Sequence, residues 1–427
     1  AITGTPFSPY GFEGTSANTP KLAPVVNAPN GWNEIAAAPT SICALSNVGT
    51  VYCMGENGNG QLGLGDTTDR LQFEKLTFPG NAGLITKIYS VTNDGGSGTN
   101  TGESFYAIDA NGRVFAWGYN GYGQLGNGNT TNATSPVQTG SGVWSGKVIT
   151  KLAVGNQDQT HVAAIDSTGQ LYMWGRNDQG QLGLGDTTNR NTPTVVPGFT
   201  NVTHAVLAGT YDAAAYRQFT RILKTDGTTW AAGDNTQGQL ADGSNTDRLS
   251  FVQSTGISNV QKIFAGSSYQ GGWSGAIDAS GYVYFAGRNG QGEFGLGDTS
   301  SRNAWQAPSG SFQGKVVKVV ATGDSATNDL TAIHILDSDG NVWSAGNTSA
   351  NAREQTPVPA TLFDKVVRNT DGKKVVDIRA YGNYVKNSSY NTVILIEDGS
   401  MMTSGHGTAL GQDQTTALAD GFKYVAG

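Results

Sequence analysis

The sequence GNGQLGLGD, from Gly58 to Asp66, has glycines at the spacing G-x-G-x-x-G. Dinucleotide-binding loops share that spacing, but they also need a preceding strand, a helix that begins at the last glycine and an acidic residue about 20 positions later. The residues after Gly63, LGDTTDRLQFEKLTFPG, show no apolar pattern of helical period. The stretch also recurs, as GYGQLGNGN at 121–129, DQGQLGLGD at 178–186 and GQGEFGLGD at 290–298. A motif repeated in this way indicates architecture, so we expect these loops to bind no nucleotide.

Each repeat has a glycine that closes a short strand before the position of the Gly-rich loop. The tripeptides at the ends of these strands are CMG, AWG, MWG, AAG, FAG, SAG and TSG, which end at Gly55, Gly118, Gly175, Gly233, Gly287, Gly346 and Gly405. Successive glycines lie 54 to 63 residues apart. A fixed period of this length indicates that each repeat is one supersecondary unit.

Each repeat predicts four short strands. In the third repeat these are 149–155, 161–166, 170–175 and 193–196. The second and third strands are joined by a D-x-x-G turn, in which Gly169 can take the left-handed conformation. No segment has the apolar period of an amphipathic helix. The predicted fold class is therefore all-β, a seven-bladed β-propeller of four-stranded antiparallel blades.

The order of strand, D-x-x-G turn, strand ending in W-G and N-x-x-G-Q-L-G-x-G loop resembles the repeat of the regulator of chromosome condensation family, over residues 32–427. The resemblance is close in repeats one, two, three and five. Repeat four departs at Gln239-Leu240-Ala241, repeat six has lost the motif, and repeat seven keeps Ala409-Leu410-Gly411. The resemblance implies a seven-bladed propeller. It also implies possible roles, because family members include exchange factors for small GTPases, chromatin binders and a bacterial inhibitor of β-lactamases.

The recurring motif positions suit a structural role within the repeat. Asparagine tolerates left-handed backbone and bonds its own turn, and glutamine can satisfy loop backbone groups. We expect these roles for Asn57, Asn120, Asn177, Asn235 and Asn289 and for Gln61, Gln124, Gln181 and Gln239. We expect Leu62, Leu125, Leu182, Leu240 and Phe294 to fill the space between blades. We interpret Asp66, Asp186 and Asp298, each four residues before Arg70, Arg190 and Arg302, as turn-capping and inter-blade pairs.

The chain divides into an N-terminal arm with a possible ring-closing strand at 1–31, and a seven-bladed propeller at 32–427. NTPKLAPVV at 18–26 resembles the fourth-strand stretch NTPTVVPG at 191–198, so it could complete the last blade. The C-terminal GFKYVAG at 421–427 is the competing candidate.

Composition argues against several functional classes. Only 14% of the residues are charged, the net charge is −7, and no basic stripe is visible, so we expect no nucleic-acid partner. No apolar window is long enough to span a bilayer, and we expect no membrane insertion. The four histidines lie at unlike repeat positions without metal-ligand spacing, and we expect a structural role for His161. We therefore predict no catalytic residues, no metal, no cofactor and no enzyme activity, although scattered Ser, Asp and His side chains could still assemble in the fold.

The chain has two cysteines, Cys43 and Cys53. If Ser46 pairs with Thr50 across the hairpin turn, the two cysteines face each other at a non-hydrogen-bonded position, where side chains approach most closely. That distance suits a cross-strand disulfide, which would indicate an oxidising compartment. Two buried free thiols are the alternative.

The loops between first and second strands vary in length and are rich in aromatic residues. Large aromatic anchors among Gly, Ser and Asn are typical of binding loops on a rigid scaffold. The predicted partner-binding residues are Tyr211, Tyr216, Tyr269, Trp273, Tyr381, Tyr384 and Tyr390. The alternative is that these aromatics pack beneath their own loops. We predict a non-catalytic binding scaffold with a protein or glycan partner, extracellular or on a cell or virion surface. An inhibitor of a secreted enzyme or an exchange factor for a small GTPase is the alternative.

Overall fold

The computed structural model contains 28 strands and no helix in the residues that it describes. The described residues are 31–91, 102–140, 142–155, 160–211, 216–268, 271–310, 312, 314–322, 332–346, 361–365, 372–383, 389–405 and 423–424.

The strands form seven antiparallel sheets, each of four strands that are neighbours in chain order. The first three sheets contain β1 (Trp32–Ala37), β2 (Ser41–Ser46), β3 (Val51–Gly55) and β4 (Arg70–Lys75); β5 (Ile85–Val91), β6 (Ser104–Asp109), β7 (Val114–Gly118) and β8 (Ala133–Gln138); and β9 (Ile149–Val154), β10 (His161–Asp166), β11 (Leu171–Gly175) and β12 (Arg190–Val195). The fourth and fifth contain β13 (Val202–Tyr211), β14 (Tyr216–Lys224), β15 (Thr229–Gly233) and β16 (Arg248–Gln253); and β17 (Val260–Ser268), β18 (Gly271–Asp278), β19 (Val283–Gly287) and β20 (Arg302–Gln306). The last two contain β21 (Val316–Thr322), β22 (Ala332–Asp337), β23 (Val342–Gly346) and β24 (Asp364–Lys365); and β25 (Val375–Asn383), β26 (Ser389–Ile396), β27 (Met401–Gly405) and β28 (Lys423–Tyr424). This architecture confirms the predicted all-β propeller class with seven four-stranded blades.

Contacts along the chain define two compact units. One comprises Ala1–Gly209, Gln218–Thr225 and Arg248–Phe251, and the other comprises Thr210–Arg217, Asp226–Asp247 and Val252–Gly427. Within each unit the apolar cores lie between consecutive blades, because the faces of neighbouring sheets are where the strands place their apolar side chains. In the first unit, Leu62 of the first repeat shares a core with Phe105 and Trp117 of the second.

The motif leucines have the packing role that the sequence predicts. Leu125 of the second repeat packs in one cluster with Tyr172 and Trp174 of the third. Phe294 of the fifth repeat packs with Ile333 and Phe363 of the sixth. A buried Leu or Phe side chain contributes roughly 1.5 to 3 kcal/mol relative to exposure, so these residues stabilise the contact between blades.

The hairpin that carries both cysteines has the predicted register. Leu45 pairs with Val51 and Cys43 with Cys53. The two cysteines form a disulfide, with Cα atoms 4.1 Å apart. This prediction rested on local geometry alone, because a tight turn fixes the pairing of both flanking strands.

Several predicted loops are strands instead. Predicted loop residues 208–219 include the end of β13 and the start of β14, and predicted loop residues 265–273 include the end of β17 and the start of β18. The pairing continues because small and polar residues can extend an antiparallel ladder, as Ser268 opposite Gly271 does. The strands of blades four and five therefore extend into the predicted loops.

The fourth strand of the seventh sheet comes from the C-terminal segment. Met402 pairs with Tyr424 and Thr403 with Lys423, which makes β28 part of the C-terminal candidate at 421–427. The N-terminal candidate at 18–26, like the rest of the arm before Gly31, lies outside the described residues.

Candidate functional site

The Gly-rich loop after the third strand is organised by one buried asparagine side chain. In the first blade, Asn57 Oδ1 accepts a hydrogen bond from the Leu62 N–H at 2.9 Å. Asn57 Nδ2 donates to the carbonyl oxygens of Asp66 and Thr68 at 3.0 and 3.1 Å. The same three contacts recur around Asn120, Asn177 and Asn235.

The asparagines do not have the left-handed backbone that we expected of them. Outside glycine, only Asn201, Ala241 and Asn259 have positive φ in the described part of the chain. The left-handed positions of the first loop are glycines, with φ of 75° at Gly60 and 69° at Gly63. Glycine takes this conformation without steric cost, which leaves the asparagine to act through its side chain.

The motif glutamines satisfy loop backbone groups, as predicted. Gln61 Oε1 accepts the Asn59 N–H at 2.9 Å, and Gln124 Oε1 accepts the Tyr122 N–H at 3.0 Å. Loop N–H groups are thereby used inside the fold, whereas a phosphate-binding loop directs them at its ligand.

The aspartate–arginine pairs cap turns but do not join blades. Asp66 Oδ1 accepts the Thr68 N–H at 2.9 Å, and Arg70 binds Asp66 at 2.7 Å and Glu74 at 3.0 Å, all within one blade. The inter-blade part of that prediction is wrong, because the i,i+4 spacing already brings the two side chains together. The last motif glycine joins the blades instead: the Gly65 N–H donates to the Thr134 carbonyl at 2.7 Å. Equivalent bonds run from Gly128 to Asn191, from Gly185 to Leu249, from Gly243 to Asn303 and from Gly297 to Thr361.

This constant skeleton carries side chains that differ from blade to blade. The residue after the strand-ending glycine is Glu56, Tyr119, Arg176, Asp234 and Arg288 in blades one to five. The loops of blades two and three together place four of the variable side chains side by side. We call Tyr119, Tyr122, Arg176 and Asp178 the tyrosine–arginine cluster.

The cluster combines two aromatic rings with an ion pair. The rings of Tyr119 and Tyr122 meet edge to face, with centroids 6.4 Å apart. The Arg176 guanidinium lies 4.7 Å from the centre of the Tyr122 ring and donates through Nε and Nη2 to Asp178 Oδ2 at 2.9 and 2.5 Å. Arg176 is buried, the tyrosines are half-buried, and the Asp178 side chain is 41% exposed. Arginine held by both a ring and a carboxylate keeps the cluster in one geometry.

Tyr119 is held on several sides. A Cβ at Gly102 would lie 2.7 Å from its ring, and a Cβ at Gly121 would overlap its phenol group. Its N–H donates to the Glu103 carbonyl at 2.9 Å, and its own carbonyl accepts from Ser104 Oγ at 2.7 Å. A ring fixed in this way loses little conformational entropy when it contacts a partner.

Glu103 is a fully buried carboxyl group beside the cluster. Its Oε1 accepts hydrogen bonds from the Thr40 N–H at 2.8 Å and Thr40 Oγ1 at 3.0 Å, and its Oε2 accepts from Ser41 Oγ. Burial raises the pKa of Glu103 to about 7, against the lowering effect of these donors. Glu103 therefore exchanges its proton near neutral pH.

The structure places the predicted partner-binding residues in three groups. Trp273 lies in β18, is 3% exposed and packs against Phe264 and Phe285 at 6.1 and 6.3 Å. Its prediction as a surface anchor is wrong, because β18 begins at Gly271 and carries the indole into the core. Tyr211, Tyr216, Tyr381 and Tyr390 lie at or near the ends of β13, β14, β25 and β26 that flank the loops. Tyr269 and Tyr384 lie outside the described residues.

The sequence did not single out the tyrosine–arginine cluster. Its four residues occupy the variable positions of the recurring motif, between the constant asparagines and glycines. The available signal was variation within a constant loop: GYNGY in blade two stands where the other blades have charged and amide residues.

His161 has the structural role that its position predicts. It is fully buried, and its Nε2 lies 3.0 Å from Thr220 Oγ1 of the next blade. Burial lowers the pKa of His161 to about 3, so the ring is neutral in ordinary conditions. Within the described ranges, no three His, Cys, Asp or Glu side chains come together as metal ligands. The same ranges hold no helix with the length and apolar character needed to cross a membrane.

Comparison with protein families identifies the repeat. The model of the regulator of chromosome condensation (RCC1) repeat matches residues 48–85, 111–164 and 168–215. A second RCC1 repeat model matches residues 149–181. The matched stretches of the chain are RCC1-like repeats. The matched residues include the Gly-rich loops of the first, second and third blades.

Curated RCC1-like relatives cover most of this chain. It is 27% identical over 312 residues to the ultraviolet-B receptor UVR8 of Arabidopsis thaliana, a match that covers 73% of this chain and 63% of the receptor. It is 30% identical over 271 residues to the human E3 ubiquitin-protein ligase HERC2, covering 61% of this chain and 5% of the ligase. The chain thus spans under two thirds of the length of these relatives.

Solved structures agree with the RCC1-like fold. Prp20p from Saccharomyces cerevisiae, described with its binding properties to Gsp1p and histones, has a TM-score of 0.57 at 19% identity, and the match covers 90% of this chain and 87% of that one. Yeast RCC1 (Prp20) bound to Kap60 has a TM-score of 0.55 at 19% identity, covering 83% of this chain and 78% of that one. At this identity the likeness concerns the fold.

Proposed function

We propose that this protein is a non-catalytic scaffold that binds a protein partner through the end of the blades where the loops after first and third strands lie. The observation that carries this proposal is the tyrosine–arginine cluster. Tyrosine and arginine are enriched at the centres of protein interfaces, where they supply most of the binding energy.

The form of the cluster supports a protein partner. Its rings are half-buried and fixed, and the Asp178 carboxylate offers an exposed acceptor at its rim. Rigid aromatic area with a polar rim matches the anatomy of a protein interface. A glycan partner is the competing outcome, since aromatic rings and carboxylates also bind sugars.

The tyrosines at the ends of β13, β14, β25 and β26 extend this proposal. Strands one and three of an antiparallel blade end on the same side, so Tyr211, Tyr216, Tyr381 and Tyr390 belong to the end of their blades that carries the Gly-rich loops. Tyr269 and Tyr384 remain part of the predicted set through their position in the sequence.

A paired screen on protein and glycan arrays tests the proposal. The labelled protein is applied to both arrays, and each hit is measured again with Tyr122→Ala and Asp178→Asn. Matched controls are Asn111→Ala and Ser167→Ala, in the hairpin turns at the other end of the same blades. Protein hits that weaken at least tenfold with the cluster variants and not with the controls support the proposal. Hits confined to glycans, or hits weakened only by the controls, contradict it.

We also propose that the protein folds in an oxidising compartment, outside the cell or on a particle surface. The support is the Cys43–Cys53 disulfide, since such bonds persist in oxidising environments. Alkylation of the protein purified from its natural source, after denaturation and without reductant, should leave both cysteines unmodified, since both are fully buried in the folded protein. Two alkylated cysteines in the denatured, unreduced protein would contradict this proposal.

A further inference from the structure

Glu103 connects the tyrosine–arginine cluster to the neighbouring blade. Its carboxyl group accepts three hydrogen bonds from Thr40 and Ser41, where β2 of the first blade begins. Its main-chain carbonyl accepts the N–H of Tyr119 at 2.9 Å. One residue therefore contacts both the first blade and Tyr119 of the cluster.

The donors to the Glu103 carboxyl group are neutral. They are one N–H group and two hydroxyl groups. The charged group that faces it is the carboxylate of Glu56, which disfavours a second negative charge. Residues 92–102, which precede it in the chain, include Asp94 and no Lys or Arg. A buried carboxylate with neutral donors and an acidic neighbour takes up a proton far more readily than an exposed one.

Protonation would change the hydrogen bonds of Glu103, while its side chain stays beside the same partners. A protonated Oε2 can donate to Ser41 Oγ, whereas the carboxylate only accepts from it. The ionised form instead requires a buried charge to be held by three donors. The two forms therefore hold the junction of the blades with different strength.

We propose that Glu103 is a positioning residue for Tyr119, and that its protonation state sets how firmly the Tyr119 ring is held. Its consequence for partner binding rests on the function proposed above. The equivalent position in the third blade is Thr160, whose carbonyl accepts the Arg176 N–H at 3.0 Å in the same way. That blade has the same backbone contact without an acid, which makes it a matched control.

The test follows Tyr119 in the full-length protein without any partner. The ring signals of carbon-13-labelled tyrosine are recorded from pH 5 to pH 8.5, below the range where tyrosine itself ionises. Tyr282, exposed at the hairpin end of the fifth blade, is the reporter control. We expect the Tyr119 signals to shift with a midpoint near pH 7 and the Tyr282 signals to stay constant.

Three variants separate this role from a merely structural one. Glu103→Gln keeps the shape and should abolish the Tyr119 transition, while Thr160→Val should preserve it. Ser41→Ala removes one donor to the ionised form and should move the midpoint of the transition upward by about half a pH unit or more. A wild-type Tyr119 signal that does not change with pH, or a transition that survives in Glu103→Gln, would overturn the proposal. Because no partner is present, this outcome is independent of whether Tyr119 binds one.

Discussion

The Gly-rich loops of the first and second blades have the same skeleton and different surfaces. Asn57 and Asn120 make the same three loop contacts, and Gly65 and Gly128 make the same bond to the next blade. At the first variable position, however, the first loop has Glu56 and the second has Tyr119. The comparison teaches that one set of loop residues stabilises the fold while another is free to differ. Substitutions in the first set should therefore lower the stability of the fold, whereas substitutions in the second set should mainly weaken partner binding.

The largest effect on stability is expected from the skeleton asparagine. Asn120→Ala leaves the Leu125 N–H and two loop carbonyls without their buried partner, and each unsatisfied buried group costs about 1 to 3 kcal/mol. We expect the free energy of unfolding to fall by about 3 kcal/mol in urea denaturation. The control Asn111→Ala, in an exposed hairpin turn, should change it by less than about 0.5 kcal/mol. Equal losses at the two positions would remove the distinction between skeleton and surface.

A pH-dependent effect is expected at the junction of the two loops. The folded-state pKa of Glu103 is raised to about 7 from 4.5, so its contribution to stability is full below pH 4.5 and is lost as the pH rises through 7. A pKa difference of one between the folded and unfolded states corresponds to about 1.4 kcal/mol. Between pH 4.5 and pH 8, the free energy of unfolding should therefore fall by about 2 to 3 kcal/mol less in Glu103→Gln than in the wild type. Thermal melts across this range measure the difference. If the stabilities of the two proteins changed with pH in parallel, ionisation of Glu103 would cost no more in the folded state than in the unfolded state.

A smaller effect on stability is expected from the motif glycines. The fourth blade provides a comparison, because it has alanine at one of these positions. A Cβ at Gly126 would lie 2.7 Å from Thr139 Cγ2 and 2.8 Å from Trp174 Nε1, at a φ of 66°. Gly126→Ala should therefore cost about 2 kcal/mol, from left-handed strain and overpacking together. The fourth blade already has alanine at this position, since Ala241 has a φ of 55°. There the reverse change, Ala241→Gly, relieves strain but removes a buried methyl group, and chemical denaturation should show a change below about 1 kcal/mol.

The smallest effect on stability is expected from the variable side chains. Tyr122 is half-buried in a loop whose skeleton does not need its ring, so Tyr122→Ala should lower the free energy of unfolding by about 1 kcal/mol or less. Calorimetry with a protein hit from the array screen should nevertheless show a loss of about 2 kcal/mol in binding energy. If Tyr122→Ala lost much more stability than this and kept full affinity, Tyr122 would have a structural role and no binding role.

Part of the fold was predictable because it depends on residues close together in the chain. The D-x-x-G turns fix the hairpin register, and the equivalent tight turn of the first blade suffices to place Cys43 opposite Cys53. The repeat period and the alternation of apolar residues predict four strands per blade, and the third blade has its strands close to the predicted bounds. The misplaced features depend on context. The stretch around Trp273 has a loop composition, yet its residues continue a ladder and carry the indole into the core.

The sequence by itself determined the seven repeats, the strand content, the turns and the disulfide, since these follow from periodicity and from contacts over about ten residues. Only the tertiary structure decided which side chains meet between blades. The bond from Gly65 to Thr134 and the contact of Arg176 with Tyr122 join residues more than 50 positions apart in the chain. The burial of Glu103 between two blades belongs to the same class. The physical reason is that burial and charge depend on the environment that neighbouring blades create, which no local pattern contains.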